Sequence, residues 1–328
     1  MNVYSVPRPR LGEVGLSSDG AYAYSRAPGR APAFYELSGS LSLRLALEQE
    51  VEEQAIGAIA VAFRLTEAGC THAAMLCSDQ STILFIDLVT GALVARASAT
   101  GADATGICFA EGGRKLWVVG RDGYLLVVEI KQEQGRFMTD IAITASPLPV
   151  LVSSLQPVNA LEDESRFLLT SEEGELLLLS REEGLYTLPF MTEESFEPLA
   201  MACDREGRTF AMLHGNGKTI FLWKNGYFNT VDIASADATP IGGGLIGLAA
   251  SKDYDIICYS KSEIIGLTLE HDLALTPGSA DAPSADAGDN LQLQVEPKLK
   301  LQILSSYHNN ISAVVESPLS GRITALCS

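Results

Sequence analysis

Apolar residues in this chain alternate with polar ones or run in blocks of five to eight, and no long window shows a 3.6-residue repeat. The pattern predicts strands throughout. It is clearest from Ala104 to Ile130, ATGICFAEGGRKLWVVGRDGYLLVVEI, where three β-type runs are separated by two glycine turns within 27 residues. The runs are Thr105 to Phe109, Lys115 to Val119 and Tyr124 to Ile130, joined through Glu111-Gly112-Gly113 and Arg121-Asp122-Gly123. Each run suits a pleated surface, and each turn carries the glycine that a tight antiparallel connection needs.

The same unit recurs along the chain. Equivalent turns between first and second runs fall at Gly20, about Gly69, Gly113, Glu164, Gly207, Tyr254 and Gly321, spaced 49, 44, 51, 43, 47 and 67 residues apart. The last spacing contains Pro277 to Pro297, a stretch dominated by Ala, Asp, Ser, Gly and Pro, and returns to about 47 without it. Three or four strands in each unit of roughly 40 to 50 residues predict an all-β fold, a single β-propeller of about seven four-stranded blades over residues 1–328. Residues 277–297 are expected to form a low-complexity loop inserted in the sixth blade, since they lack the apolar side chains that would offset chain entropy. The last unit is incomplete, with only ISAVVES and RITALC, so its sheet needs strands from elsewhere. Asn2 to Val6 could supply one, and a partner chain another.

Composition adds constraints on function. The net charge is −18, from 41 acidic and 23 basic residues, which opposes whole-surface attraction to nucleic acid or anionic lipid. Between Glu162 and Glu197 eleven carboxylates face only Arg166 and Arg181, a window of net charge −9. Within it, Glu162, Asp163, Glu164, Glu172, Glu173, Glu175, Glu182, Glu183, Glu193 and Glu194 form a candidate acidic rim for a basic partner; as a solvated rim it would serve only solubility. The longest apolar runs, such as Ile56 to Phe63, are too short to span a bilayer, and MNVYSVPRPR lacks the apolar segment of a secretory signal. An intracellular location, cytoplasmic or nuclear, is expected. Cys70, Cys77, Cys108, Cys203, Cys258 and Cys327 include no C-x-x-C pair, which argues against a disulfide frame or a zinc site.

Strand, acidic-glycine turn and strand at a period in the forties resembles the WD-repeat family of β-propellers over essentially the whole chain. Tyr307-His308 stands where that family's Gly-His pair precedes a unit. Ile220-Phe221-Leu222-Trp223 ends a third strand as its Trp-Asp motif does, though Lys224 follows, and Asp87 and Glu129 hold the acid place of that dipeptide. The order of GAIAVAF, SDQSTILFIDL, the stretch from Ala104 to Ile130, ESRFLLTSEEGELLLLS and GNGKTIFLWKNG is also similar to the non-catalytic WD-repeat subunit of the tRNA guanine-N7 methyltransferase. In that family the counterpart of Thr170 to Ser180 helps hold the catalytic partner through charge. Here Glu173, Leu176 and Leu178 stand where basic residues would be.

No catalytic constellation emerges. His72, His214, His271 and His308 lie in different units, without Cys or carboxylate neighbours at ligand spacing. G-x-S-x-G, G-x-x-x-x-G-K and a post-strand G-x-G-x-x-G are missing, and Gly242-Gly243-Gly244 precedes a strand instead of opening a helix. Paired acids such as Glu172-Glu173 and Glu182-Glu183 fall beside turns, where little burial would raise a carboxyl pKa. The sequence thus points to a non-catalytic protein–protein interaction scaffold, without cofactor or metal, that is one subunit of a larger complex. The alternatives are the tRNA-modification subunit and a propeller enzyme with its site at the channel mouth.

Overall fold

The computed structural model describes residues 1–5, 13–38, 41–99, 103–121, 123–133, 136–142, 148–149, 151–158, 166–171, 175–180, 184–187, 198–204, 209–224, 227–233, 244–274, 294–306 and 310–327. After β1 (Asn2–Ser5), the first blade is β2 (Glu13–Leu16), β3 (Tyr22–Arg26), β4 (Ala33–Ser38) and β5 (Leu41–Arg44), followed by a short helix, α1 (Gln49–Gln54). The second is β6 (Ala60–Thr66), β7 (Gly69–Leu76), β8 (Thr82–Asp87) and β9 (Leu93–Ser98). The third is β10 (Ala104–Ala110), β11 (Lys115–Gly120), β12 (Leu125–Glu133) and β13 (Arg136–Ala142). The fourth is β14 (Val152–Pro157), β15 (Arg166–Ser171), β16 (Leu176–Ser180) and β17 (Gly184–Thr187). The fifth is β18 (Pro198–Cys203), β19 (Thr209–His214), β20 (Thr219–Lys224) and β21 (Tyr227–Asp232). The sixth is β22 (Leu245–Ala249), β23 (Ile256–Ser260), β24 (Glu263–Ala274) and β25 (Gln294–Ser306), and the chain continues into β26 (Ile311–Glu316) and β27 (Ile323–Cys327).

Each four-stranded sheet is an antiparallel meander in chain order. The expectation of about seven four-stranded blades is corrected: among the described residues six sheets have four strands, while one further sheet has three, in the order β1-β27-β26. In this sheet β26 and β27 are antiparallel, and β1 lies parallel to β27 with Asn2 opposite Thr324 and Ser5 opposite Cys327. Gly20, Gly113, Tyr254 and Gly321 fall between the first two strands of their sheets, and Gly69 opens its second strand. Glu164, Gly207, Tyr307, His308 and most of 277–297 lie outside the described residues, whereas Gln294 to Pro297 belong to β25. The helix α1 was not anticipated from the sequence; it buries Val51, and bonds between Gln49 and Glu53 and between Gln54 and Glu50 link i and i+4 on its exposed surface.

Both faces of a blade are buried against neighbours, so the middle strands are apolar at consecutive positions. In β8, Ile83 and Phe85 join Ala74, Leu116 and Val118 in the layer toward the third blade. Their neighbours Leu84 and Ile86 join Phe34, Ala73 and Met75 in the layer toward the first. The third blade repeats the division: Phe109 packs toward Phe85 of the second, and Trp117 lies against Phe167 of the fourth with ring centroids 4.7 Å apart. The seam between β27 and the first blade contains Leu326, Ala23, Tyr35 and Leu37.

Polar contacts also cross these seams. Asp19, in the β2–β3 turn, accepts the Cys70 N–H at 2.7 Å. Arg64 donates through Nε to the Gly113 carbonyl at 2.8 Å. Gly113 has φ +76°, and a Cβ there would stand 2.7 Å from Arg64 Cγ, so turn conformation and packing both require glycine. Lys224 meets Asp255 at 2.7 Å, and the buried Glu316 receives the Ser251 hydroxyl at 2.8 Å. Each contact satisfies a group that would otherwise be poorly hydrated at a seam.

His72 lies in one such seam. Its ring is 4.8 Å from Phe137 of β13, over which the Arg64 guanidinium also sits at 5.3 Å. Burial, then the Arg64 charge, lower the His72 pKa below 6.5, while Asp87, 3.9 Å away, acts to raise it. The folded chain therefore binds fewer protons than the unfolded chain just below pH 6.5.

Two outcomes follow from this packing. Trp117→Ala is expected to cost about 3 to 5 kcal/mol in urea unfolding. Trp117→Phe is expected to cost much less, because the indole N–H is buried without an acceptor; an alanine loss within error would contradict the inter-blade placement. As pH falls from 7 toward 5, the His72 contribution should lower the melting temperature, and His72→Phe should flatten that slope. An unchanged slope in the variant would show that His72 is not the titrating group.

Candidate functional site

A cleft of about 450 Å³ opens between the first and second blades, lined by Glu13, Arg26, Ala27, Pro28, Gly29, Gly57, Ala58 and Ile59. Its polar part is assembled by β2 and β3, where Glu13 pairs directly with Arg26 in the register. The Glu13 carboxylate accepts from Tyr24 Oη through one oxygen and from Arg26 Nη2 through the other. Arg26 Nη1 also donates to the Ala58 carbonyl at 3.1 Å, tying the first blade to the segment that leads into β6. Burial, then the Glu13 charge, push the Tyr24 pKa well above 10, so Tyr24 remains a donor at neutral pH. Ala27, Pro28, Ala58 and Ile59 make the rest of the lining apolar. Such a cleft can seat a side chain or a turn of peptide, with the paired charges orienting polar atoms.

Apolar residues are exposed near the leading ends of several inner strands: Ile56 is 51% exposed, Leu151 50% and Leu199 47%. Ile56 precedes β6, Leu151 precedes β14, and Leu199 is the second residue of β18. In an antiparallel meander the start of the first strand and the connection from second to third strand share one end of the sheet. The 27–32 connection that lines the cleft is therefore at the same end as these apolar residues. Leu199 occupies a bulge between Pro198 and Ala200, and equivalent register shifts recur at the starts of β10, β14, β22 and β26. A small residue follows each shift, namely Gly106, Ser154, Ala200, Gly247 and Ala313. At Gly247 a Cβ would stand 2.2 Å from the Tyr259 ring.

Of the acidic-rim residues, Glu175 is described: it is exposed, and its N–H donates to Ser171 Oγ at 3.0 Å. Glu162, Asp163, Glu164, Glu172, Glu173, Glu182, Glu183, Glu193 and Glu194 lie outside the described residues. The cleft itself was not read from the sequence, because Glu13, Arg26 and Ala58 meet only through strand pairing and a contact between neighbouring blades.

The titratable groups that the sequence raised have structural surroundings. All six cysteines are free and buried. Burial raises the pKa of Cys70, Cys108, Cys258 and Cys327, and burial together with Asp79 raises that of Cys77 to about 11, so these thiols stay protonated at neutral pH. Asp79 and Asp87 cap turns: burial acts to raise their pKa values, but hydrogen bonds from Thr82 and Ser81 hold Asp79 down to about 2, and those from Thr90 and Val89 lower Asp87. His214 accepts the Asn216 N–H in the β19–β20 turn. Among the described residues no group of three or more His, Cys, Asp or Glu could hold a metal, and no helix is long and apolar enough to cross a membrane.

No protein-family model matches this sequence, and no curated protein matches it. The fold has solved counterparts. The structure is similar to the WD40 domain of SCAP from fission yeast, with 12% identity, a TM-score of 0.52, and coverage of 88% of this chain and 74% of that one. The β-propeller domain of Cps50 (Swd1) from Myceliophteria thermophila gives 12% identity and a TM-score of 0.48 over 79% of this chain and 83% of its own. At this identity the SCAP likeness speaks for architecture alone, and with the sheets described above it shows an all-β propeller.

Proposed function

We propose that this chain is a non-catalytic interaction scaffold, a WD-repeat-like subunit that gathers protein partners on the face formed by the leading ends of its inner strands. The observation that carries the reading is the exposure of Ile56, Leu151 and Leu199 at that end, together with the cleft beside Arg26. Large apolar side chains exposed there favour contact with another apolar surface. We read the six four-stranded blades and the three-stranded sheet as one ring, joined through β1–β27 pairing and the Leu326 seam. The net charge of −18 favours a basic partner by steering its approach, with the acidic rim between Glu162 and Glu194 as a second contact region.

The tRNA-methyltransferase resemblance assigns docking to the counterpart of Thr170 to Ser180. In this chain Thr170, Ser171, Leu177 and Ser180 of that segment are buried, and Leu178 packs against the seam with the fifth blade. That burial favours the general scaffold reading over a charged dock at this segment.

Affinity purification from cells expressing a tagged chain tests the face. Leu151→Asp combined with Leu199→Asp is expected to reduce recovery of co-purifying proteins at least tenfold, with a melting temperature within a few degrees of the parent. Leu319→Asp, in the β26–β27 turn at the opposite end of its sheet, should leave recovery unchanged. Equal recovery by both variants would remove the proposed face.

A further inference from the structure

The cleft between the first and second blades has a polar end whose two charges cancel. Glu13 and Arg26 are register partners on β2 and β3, both line the cleft, and their side chains are 49% and 26% exposed. Their hydrogen bonds leave capacity of both signs. Each Glu13 oxygen accepts one bond, from Tyr24 or from Arg26, and a carboxylate oxygen can accept a second. Arg26 uses one N–H of Nη1 for the Ala58 carbonyl and one of Nη2 for Glu13, so each of these nitrogens keeps another N–H. Arg26 Nε is buried, which leaves the two Nη groups as the donors a ligand can meet.

This balance selects the class of occupant. A Lys or a carboxylate entering the cleft would lose hydration while one member of the pair attracted it and the other repelled it. A purely apolar group would strip water from Glu13 and Arg26 without replacing its hydrogen bonds. A carboxamide is uncharged, and it has a C=O that can accept from Arg26 and an NH2 that can donate to Glu13. Its methylene stem suits Ala27, Pro28 and Ile59, and a cleft of about 450 Å³ also admits the residues beside it. At Gly29 a Cβ would meet nothing within 4 Å, so that side of the cleft is open to an incoming chain. Resting on the scaffold reading, we propose that the cleft is a recognition pocket for a Gln or Asn side chain of a partner protein, held between Glu13 and Arg26. The partner segment carries basic residues on either side of it. Glu52 and Glu53 are exposed on α1, which ends three residues before Gly57 of the cleft, and Arg30 beside Gly29 offsets one of them. The net charge of −18 acts in the same sense.

The probe is a fluorescein-labelled peptide, KKGAQAGKK, compared with KKGAEAGKK, KKGAKAGKK and KKGAMAGKK by anisotropy on the full chain at fixed salt. The Gln peptide should bind at least tenfold more tightly than each of the others. Its advantage over the Met peptide, at equal charge, reads the hydrogen bonds. Its advantage over the Lys peptide runs against the net charge of the chain and so reads the cancelled pair. Ala27→Trp, which fills the cleft, should abolish the preference while the melting temperature stays within a few degrees. Equal affinity for the Gln and Met peptides, tighter binding of the Lys or Glu peptide, or no binding of any would overturn the proposal. A preference that survives in folded Ala27→Trp would place the site elsewhere and overturn it too. If Ala27→Trp does not fold, Pro28→Trp in the exposed turn takes its place, with the same two outcomes. The scaffold reading fails separately, through the Leu151→Asp and Leu199→Asp recovery experiment. Loss of the Gln preference with that recovery still dependent on Leu151 and Leu199 would remove this pocket and leave the scaffold standing.

Discussion

The structure depends on one constraint, that each blade is sandwiched, so the middle strands have no solvent face. Alternate residues of a strand point to opposite sides, and in this chain the two sides enter different apolar layers. Leu76, Ile83, Leu84, Phe85, Ile86 and Leu116 are all 0% exposed, although they are divided between the layers on either side of the second blade. Burying a side chain of this size contributes roughly 1.5 to 3 kcal/mol relative to leaving it exposed. The many such residues make the seams the main source of stability. Polar contacts at the seams, such as Asp19 with Cys70 and Arg64 with Gly113, mainly avoid the cost of buried unpaired groups.

The same constraint decides where function can reside. Inside the seams, His72 and the cysteines are surrounded by packed side chains, and burial shifts the pKa of His72 and most of the thiols toward their neutral forms. Recognition is left to the ends and edges of the sheets, where backbone and apolar side chains meet solvent. The cleft at Glu13 and Arg26 and the exposed Leu151 and Leu199 are two such places.

Much of this architecture was legible because two-sided burial writes itself as unbroken apolar runs between short turns. Ile83 to Ile86 and Leu125 to Val128 are such runs, and the glycine turns separated them correctly. The helix α1 was not legible: its six residues give too few turns for a 3.6-residue pattern, and its apolar contact is made chiefly by Val51. The direction of β1 was equally hidden, since NVYS is compatible with parallel or antiparallel pairing. The cleft depends on Glu13, Arg26 and Ala58 meeting across strand and blade boundaries, which no local pattern encodes. The acidic window was visible as charge, but charge alone does not distinguish a docking surface from a solubilising rim.

The most direct test of two-sided burial is an alanine scan of four consecutive residues in β8, with each variant measured by urea unfolding. Ile83→Ala, Leu84→Ala, Phe85→Ala and Ile86→Ala should each lose about 2 to 5 kcal/mol, with no alternation along the strand. A period-two pattern, in which either Ile83 and Phe85 or Leu84 and Ile86 tolerate alanine within error, would show that one face of the blade meets solvent and would contradict the stacked arrangement.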